Sequence, residues 1–235
     1  MTTADVPTFL DLRALAAESS APSPMPPGDR FLASRRRLDA PAVGVTIDAL
    51  HLDGGSGVVE ALAADEFVLV IAGGLSVDDE QVGIDGSLVI PRGRRFGWTA
   101  KPGTVALVMG CGLGPAGDGR LVPVDTSAAL EPSSPPLADL LVGPTPSCRN
   151  FTDFRSASGE YMIGTWDSTP YERVGMTYRH CELMLLLEGA VTFVDGAGRS
   201  GTFSRGDVFV VQQGAHCSWL SETHVKKVYV IYRPA

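Results

Sequence analysis

"ELMLLLEGAVTF", residues 182–193, sets a carboxylate at the mouth of an apolar run, Leu183, Met184, Leu185, Leu186 and Leu187, and follows the run with Gly189. A short apolar run bounded by a turn residue reads as a buried strand that turns and comes back. The skeleton occurs twice. "DEFVLVIAGGLSV", from Asp65, has Glu66, six residues of mostly apolar strand and Gly73, an offset of 116 from Glu182 and Gly189. Downstream, "DGSLVIPRGRRFGW" aligns with "GDVFVVQQGAHCSW", laying Gly93 over Gly214, Phe96 over Cys217 and Trp98 over Trp219 at an offset of 121. The change of offset places a longer hairpin in the second copy, at "DGAGRSG". Each copy then continues into a further strand, "TVALVMG" and "KKVYVIYR".

Self-similarity of this kind marks a repeated structural unit. It divides the 235-residue chain into two all-β units, 31–112 and 150–235. The other strong runs are also short and rich in Val, Ile, Phe and Tyr, and 27 Gly and 17 Pro punctuate them, as in a sandwich or small barrel. Residues 113–149, rich in Pro, Gly, Ser and Ala, read as a linker passing over or along the two units, with one short helix possible at "PLADLLVG". Residues 1–30, which include "APSPMPPGDR", read as an N-terminal arm, packed or mobile.

Charge narrows the partners. Lys plus Arg number 19 against 27 Asp plus Glu, a net charge of -8, so no electrostatic footprint for nucleic acid or an anionic membrane is present. No apolar stretch approaches the roughly 20 residues of a membrane span, and the N-terminus lacks the order of a signal peptide. The expectation is a cytoplasmic protein with a small-molecule ligand. Cys111, Cys148, Cys181 and Cys217 lie far apart with no C-x-x-C pair, which favours reduced thiols. Of the adjacent Lys226 and Lys227, one should point outward and one inward or to an edge. "GCGLGPAGDG", from Gly110, lacks the strand-loop-helix context of a dinucleotide loop and reads as linker.

Glu-x6-Gly followed by Gly-x5-Pro-x-Gly is the skeleton of the two cupin motifs, and both halves carry a version of it. The chain therefore resembles a bicupin. "GTWDSTPYERVGMTYRHCELMLLLEG", "GDVFVVQQGAHCSW" and "VKKVYVIYR" resemble the small cupins of the ureidoglycine aminohydrolase-like and ethanolamine-utilisation-type branch. The resemblance implies two tandem double-stranded β-helix (jelly-roll) barrels joined by the Pro-rich linker. In it Glu182 points into a barrel mouth, and Gly189 turns where a side chain would not fit. Cupins host many activities, so the resemblance specifies fold far more than function.

The metal-binding pattern of such proteins, two His shortly before the Glu and a third in the second motif, is missing. Met176 and Tyr178 (or Gly175 and Thr177) stand at the first two places and Cys217 at the third. The expectation is no metal cofactor. A divalent metal, zinc for instance, would need an unusual set of Glu182, His180 and Cys217. His216 and Cys217 should face opposite ways on a strand, and His180 could instead cap a turn. The first half has no His before Glu66 and has Phe96 in its second motif, so Glu66 should pair with Arg94 or Arg95 or face solvent.

Without a metal, the inward set of the second barrel is Glu182 and Tyr178 as candidate catalytic groups, with Arg173, Met176, Cys217, Trp219 and Trp166 as ligand-binding neighbours. Burial would raise the Glu182 pKa towards the general acid–base range, and a simple Tyr178–Glu182 hydrogen bond is the plainer alternative. Arg173 or Arg179 could take a substrate carboxylate. His51 and His224 should lie at the surface. Two functions stay open, a metal-free binder of a small polar metabolite and a metal-dependent enzyme on a small nitrogen-containing or carboxylate metabolite. Glu182→Gln is expected to abolish ligand binding with little loss of folding, and Glu66→Gln to leave both intact. A homodimer is plausible.

Overall fold

The computed structural model describes residues 8–40 and 42–235, so the first seven residues of the expected arm lie outside the described residues. The protein is nearly all β, built as two tandem cupin barrels. In the first, a six-stranded sheet runs in the order Val122–Pro123, Ser87–Ile90, Asp65–Ala72, Thr104–Cys111, Thr46–Leu52, Arg35–Arg37. It faces a four-stranded sheet ordered Gly55–Val59, Phe96–Ala100, Leu75–Val77, Glu80–Val82. The second barrel repeats the plan. Its seven-stranded sheet has Val208–Val211, Cys181–Glu188, Val225–Tyr232 and Tyr161–Ser168 at its centre, and its five-stranded sheet has Tyr171–Thr177, His216–Ser221 and Ala190–Val194.

The run 183–187 is apolar throughout because both its faces are covered. Successive side chains of a strand point to opposite faces. Met184 and Leu186 therefore join Phe193, Phe209 and Trp219 inside the second barrel, while Leu183 and Leu185 join Phe67, Leu69, Leu107 and Met109 of the first. The large sheets of the two barrels thus pack face to face across a shared core. Tyr161, fully buried, donates a hydrogen bond of 2.6 Å to the Met109 carbonyl across it.

Both turn glycines have positive φ, 75° at Gly73 and at Gly189. A Cβ on Gly189 would stand 2.2 Å from the His224 carbonyl oxygen, so the turn has no room for a side chain. The longer second hairpin is built on Asp195, whose carboxylate accepts from the amides of Ala197 and Arg199.

The chain ends and connections are strapped to the barrels. Strand Phe9–Asp11 adds to the edge of Val208–Val211, and Asp11 then caps helix Leu12–Glu18 by accepting from the Arg13 and Ala14 amides. Arg13 bridges the barrels, donating to the Gly206 carbonyl at 2.7 Å and ion-pairing with Asp85. Within 113–149, Val122–Pro123 pairs in the first barrel, and Glu131–Ser133 and Leu141–Val142 pair in the second. The helix expected at "PLADLLVG" is a single 3-10 turn, Ala138–Leu140, because the backbone re-enters a strand at Leu141. Among the described residues no helix is long and apolar enough to cross a membrane.

Candidate functional site

Strand alternation carries Glu182 into the mouth of the second barrel, where it is buried. Lys227 is buried too, and its ladder neighbours Leu186 and Trp166 point to the same side. Its ammonium lies 2.8 Å from Glu182 Oε1, 3.2 Å from Met184 Sδ, and 4.8 and 5.1 Å from the rings of Trp166 and Trp219. Indole faces attract a cation, so the ammonium is held by a carboxylate and two π-systems together. His180 Nε2 sits 3.2 Å from the other oxygen, Oε2. The expected Tyr178–Glu182 hydrogen bond is not formed, because Lys227 and His180 take both carboxylate oxygens.

This overturns the expected titration of Glu182. Burial does raise its pKa, but the Lys227 charge and the His180 hydrogen bond outweigh it and hold the carboxyl at about 2. The group is ionised at neutral pH and is not a general acid there. Cys217 goes the other way, pushed up to about 11 by burial against a small opposing effect of Arg173. It is an inert thiol packed among Phe193, Trp219 and Met176.

A bulge sets the other wall. Strand Tyr171–Thr177 pairs Arg173 with Trp219 and Met176 with Cys217, so Val174 and Gly175 together oppose one partner residue. Three residues apart, Arg173 and Met176 would face opposite ways on a regular strand; the bulge turns both inward. A Cβ on Gly175 would stand 2.5 Å from the ring of the exposed His216, so a larger residue here would displace that ring. Arg173 is buried and donates to the carbonyls of Cys217 (3.0 Å) and Val174 (3.2 Å) and to the Tyr178 hydroxyl (3.1 Å). Tyr178 is pinned by backbone bonds on both sides, its amide donating to the Ala215 carbonyl and its carbonyl accepting from the Gly214 amide, each at 2.8 Å. Burial raises the pKa of Tyr178 and of Tyr171, although Arg173 opposes it in both, so both phenols keep their protons.

These groups border a cavity of about 800 Å³. Of the expected set, Glu182, Tyr178, Arg173, Met176 and Trp219 line it, together with His180 and Arg179. Trp166 and Cys217 do not: Trp166 stands behind, edge-on to Trp219 at 6.1 Å, and Cys217 belongs to the core. Sequence reasoning did not assign Lys227 or Tyr171 to the site. Tyr171 stacks on Trp219 at 5.6 Å and 11°. The wall opposite the barrel comes from the connection, with Pro135, Pro136, Leu137 and Leu140.

The donors around Glu182 do not fit a metal ion. Its oxygens are engaged by an ammonium and an imidazole, and Cys217 does not join His180 and Glu182. Among the described residues no three His, Cys, Asp or Glu side chains come together as ion ligands. His216 is exposed where Cys217 is buried, as strand parity requires. His224 is exposed as expected and contacts Asp167, whereas His51 is half-buried against Ser19 Oγ at 2.9 Å rather than free at the surface.

The first barrel has the same Glu with a different partner. Glu66 meets neither Arg94 nor Arg95, which bind Asp78 and Glu60, nor solvent; Arg35 takes it in a bidentate pair at 2.7 and 2.8 Å. Arg35 comes from before the repeated motif, which is why the motif comparison did not offer it. Above the pair, fully buried Phe31 packs against Phe96 and Trp98, and the Trp98 indole donates to Asp29 at 3.0 Å.

A family model for the EutQ-like cupin domain matches residues 155–229, the strands that build this site. No curated protein matches the chain. Among solved structures, a cupin 2 conserved barrel domain protein from Leptotrichia buccalis is similar at 10% identity and a TM-score of 0.55, covering 99% of this chain and 100% of that one. A salicylate 1,2-dioxygenase variant from Pseudoaminobacter salicylatoxidans is similar at 13% identity and a TM-score of 0.56, covering 97% and 84%. At such identity both speak to the fold alone. A protein of unknown function of the DUF861 family from Pseudomonas syringae pv. tomato is similar at 31% identity and a TM-score of 0.83, over 96% of this chain and 99% of that one. With that extent of identity and the cupin architecture of both halves, the chain belongs to the DUF861 family of cupins.

Proposed function

We propose that the second barrel binds a small polar metabolite in the cavity over Glu182, without the metal triad of other cupins. The observation that carries this reading is the contrast at the two barrel mouths: the first has Phe31 packed inside and borders a cavity of about 580 Å³ whose glutamate, Glu66, is fully paired with Arg35, whereas the second borders about 800 Å³ walled by Tyr171, Tyr178 and Trp219 beside a buried Arg173 that meets only neutral groups. A concave pocket with a few convergent polar groups is the common form of a small-molecule site. Charged side chains are seldom buried for packing alone, since burial disfavours them. Tyr178 keeps its proton and so offers a hydrogen-bond donor. Glu182 with its depressed pKa is a weak base, which favours binding over proton-transfer catalysis.

A thermal-shift screen of small polar metabolites tests the reading on the wild type, Met176→Trp and Tyr178→Phe. Met176 is half-buried on the cavity wall, so the tryptophan should fill the cavity with the barrel intact. The expected result is a ligand that raises the wild-type Tm, loses its effect in Met176→Trp and weakens in Tyr178→Phe. A shift that persists unchanged in both variants would place binding elsewhere and remove the proposal.

A further inference from the structure

The cavity is lined by four cationic side chains, Arg173, Arg179, Lys227 and Arg233, and by one carboxylate, Glu182. This positive concentration lies in a chain whose net charge is -8. Lys227 and Glu182 neutralise each other. Arg173 is different: it is buried, and all its hydrogen-bond partners are neutral, two backbone carbonyls and the Tyr178 hydroxyl. Among the described residues no carboxylate lies within ion-pair distance of it. A buried guanidinium without a counter-ion is costly to keep, which makes an anion from outside its natural complement.

Hydrogen-bonding capacity points the same way. Tyr171 and Tyr178 keep their protons, and Tyr178 Oη already accepts from Arg173, so its own O–H is directed to another acceptor. Both oxygens of Glu182, the only acidic side chain on the wall among the described residues, are engaged by Lys227 and His180. The cavity therefore presents donors and lacks free carboxylate acceptors. A ligand rich in amine donors would meet like groups, and an acceptor-rich anion would meet complementary ones. Arg173 beside a phenol O–H suits the paired, planar oxygens of a carboxylate.

We infer that the ligand of the second barrel is a small organic carboxylate, its carboxylate group taken by Arg173 and the Tyr178 hydroxyl. This rests on the reading of the second barrel as a ligand site and names the chemical class it takes. Arg179 and Arg233, exposed at the rim, attract the anion on its way in, and Arg173 and Tyr178 fix its orientation.

Calorimetric titration of the full chain with matched probes tests it: acetate against acetamide, succinate against succinamide, benzoate against benzamide, with benzylamine and inorganic phosphate as further arms. At least one carboxylate should bind, with its amide weaker by roughly 30-fold or more, the scale of losing one partner of a buried charged contact. Arg173→Met should lose carboxylate binding by a similar factor. Should that variant fold poorly, Tyr178→Phe supplies the isosteric check with a loss of about tenfold, the worth of one strong hydrogen bond. Equal or tighter binding of an amide or of benzylamine, phosphate binding with no carboxylate binding, or carboxylate affinity indifferent to both variants would overturn the inference and leave the cavity as a ligand site. No heat from any probe in the wild type would count against the cavity as a site and so against both readings.

Discussion

The two barrel mouths are built from equivalent strands, and each borders a cavity, of about 580 Å³ in the first and about 800 Å³ in the second, with different walls. In the first, helix Arg30–Ala33 packs beside Gly55–Val59, is capped by Asp29, and drives Phe31 down onto Phe96 and Trp98. In the second, the 3-10 turn Ala138–Leu140 packs beside Tyr171–Thr177, the corresponding strand, and keeps its apolar residues at the rim, Leu137 remaining 74% exposed. Both retain the mouth glutamate, but the first closes it with a guanidinium fork and the second with an ammonium and an imidazole. The size and walls of the pocket at each mouth thus depend on what the preceding segment inserts, more than on the repeated motif itself.

Breaking the plug is the most direct way to erase the difference. Phe31→Ala should destabilise the protein by about 3–5 kcal/mol in urea melts, since it deletes a fully buried ring, and should open further space inside the first barrel. A comparable effect is expected at the other mouth. Lys227→Met leaves Glu182 buried without its cation and should cost about 3–5 kcal/mol, whereas the double change with Glu182→Met should recover most of the loss. By the same reasoning Glu182→Gln, which takes the counter-charge from Lys227, should cost stability as well.

The acid limb of stability sharpens the comparison further. Glu182 has its folded pKa lowered to about 2 from 4.5, so the stability it contributes is present above about pH 4.5 and is lost as pH falls towards 2. The contribution is on the order of 3 kcal/mol. Acid titrations of wild type and the Lys227→Met/Glu182→Met pair should diverge in that window and run parallel above it. Smallest is the cap: Asp29→Ala removes the acceptor for both the Phe31 amide and the Trp98 indole and should cost about 1–2 kcal/mol, with a change in tryptophan emission.

The repeat, the longer second hairpin and the side-chain-free turns at Gly73 and Gly189 were all legible because they rest on local spacing. The inward place of Glu182 came from the resemblance to cupins, and Glu182 and Trp219 both line the second cavity. What escaped is non-local. Lys227 is 45 positions from Glu182, and "VKKVYVIY" indicated that one of Lys226 and Lys227 turns inward or to an edge without showing which, or its partner. Arg35 precedes the motif comparison altogether. Nothing in "YERVGMT" announces the bulge at Val174 and Gly175 except the glycine, and that bulge is what lets Arg173 and Met176 face the same cavity. The Glu182 pKa was misjudged for the same reason, since desolvation can be argued from one residue and a counter-charge needs two.

Strand Phe9–Asp11 is made long before its ladder partner, Val208–Val211. The first barrel's last strand, Thr104–Cys111, is likewise complete well before Val225–Tyr232, whose side chains cover it across the shared core. At ordinary rates of synthesis that interval is roughly 6 to 24 s. During it the nascent chain holds a folded or half-folded sheet with one greasy face bare. Holdase chaperones and translation speed should therefore govern the yield of this protein more strongly than its final stability does, and slow codons placed between the halves would lower it.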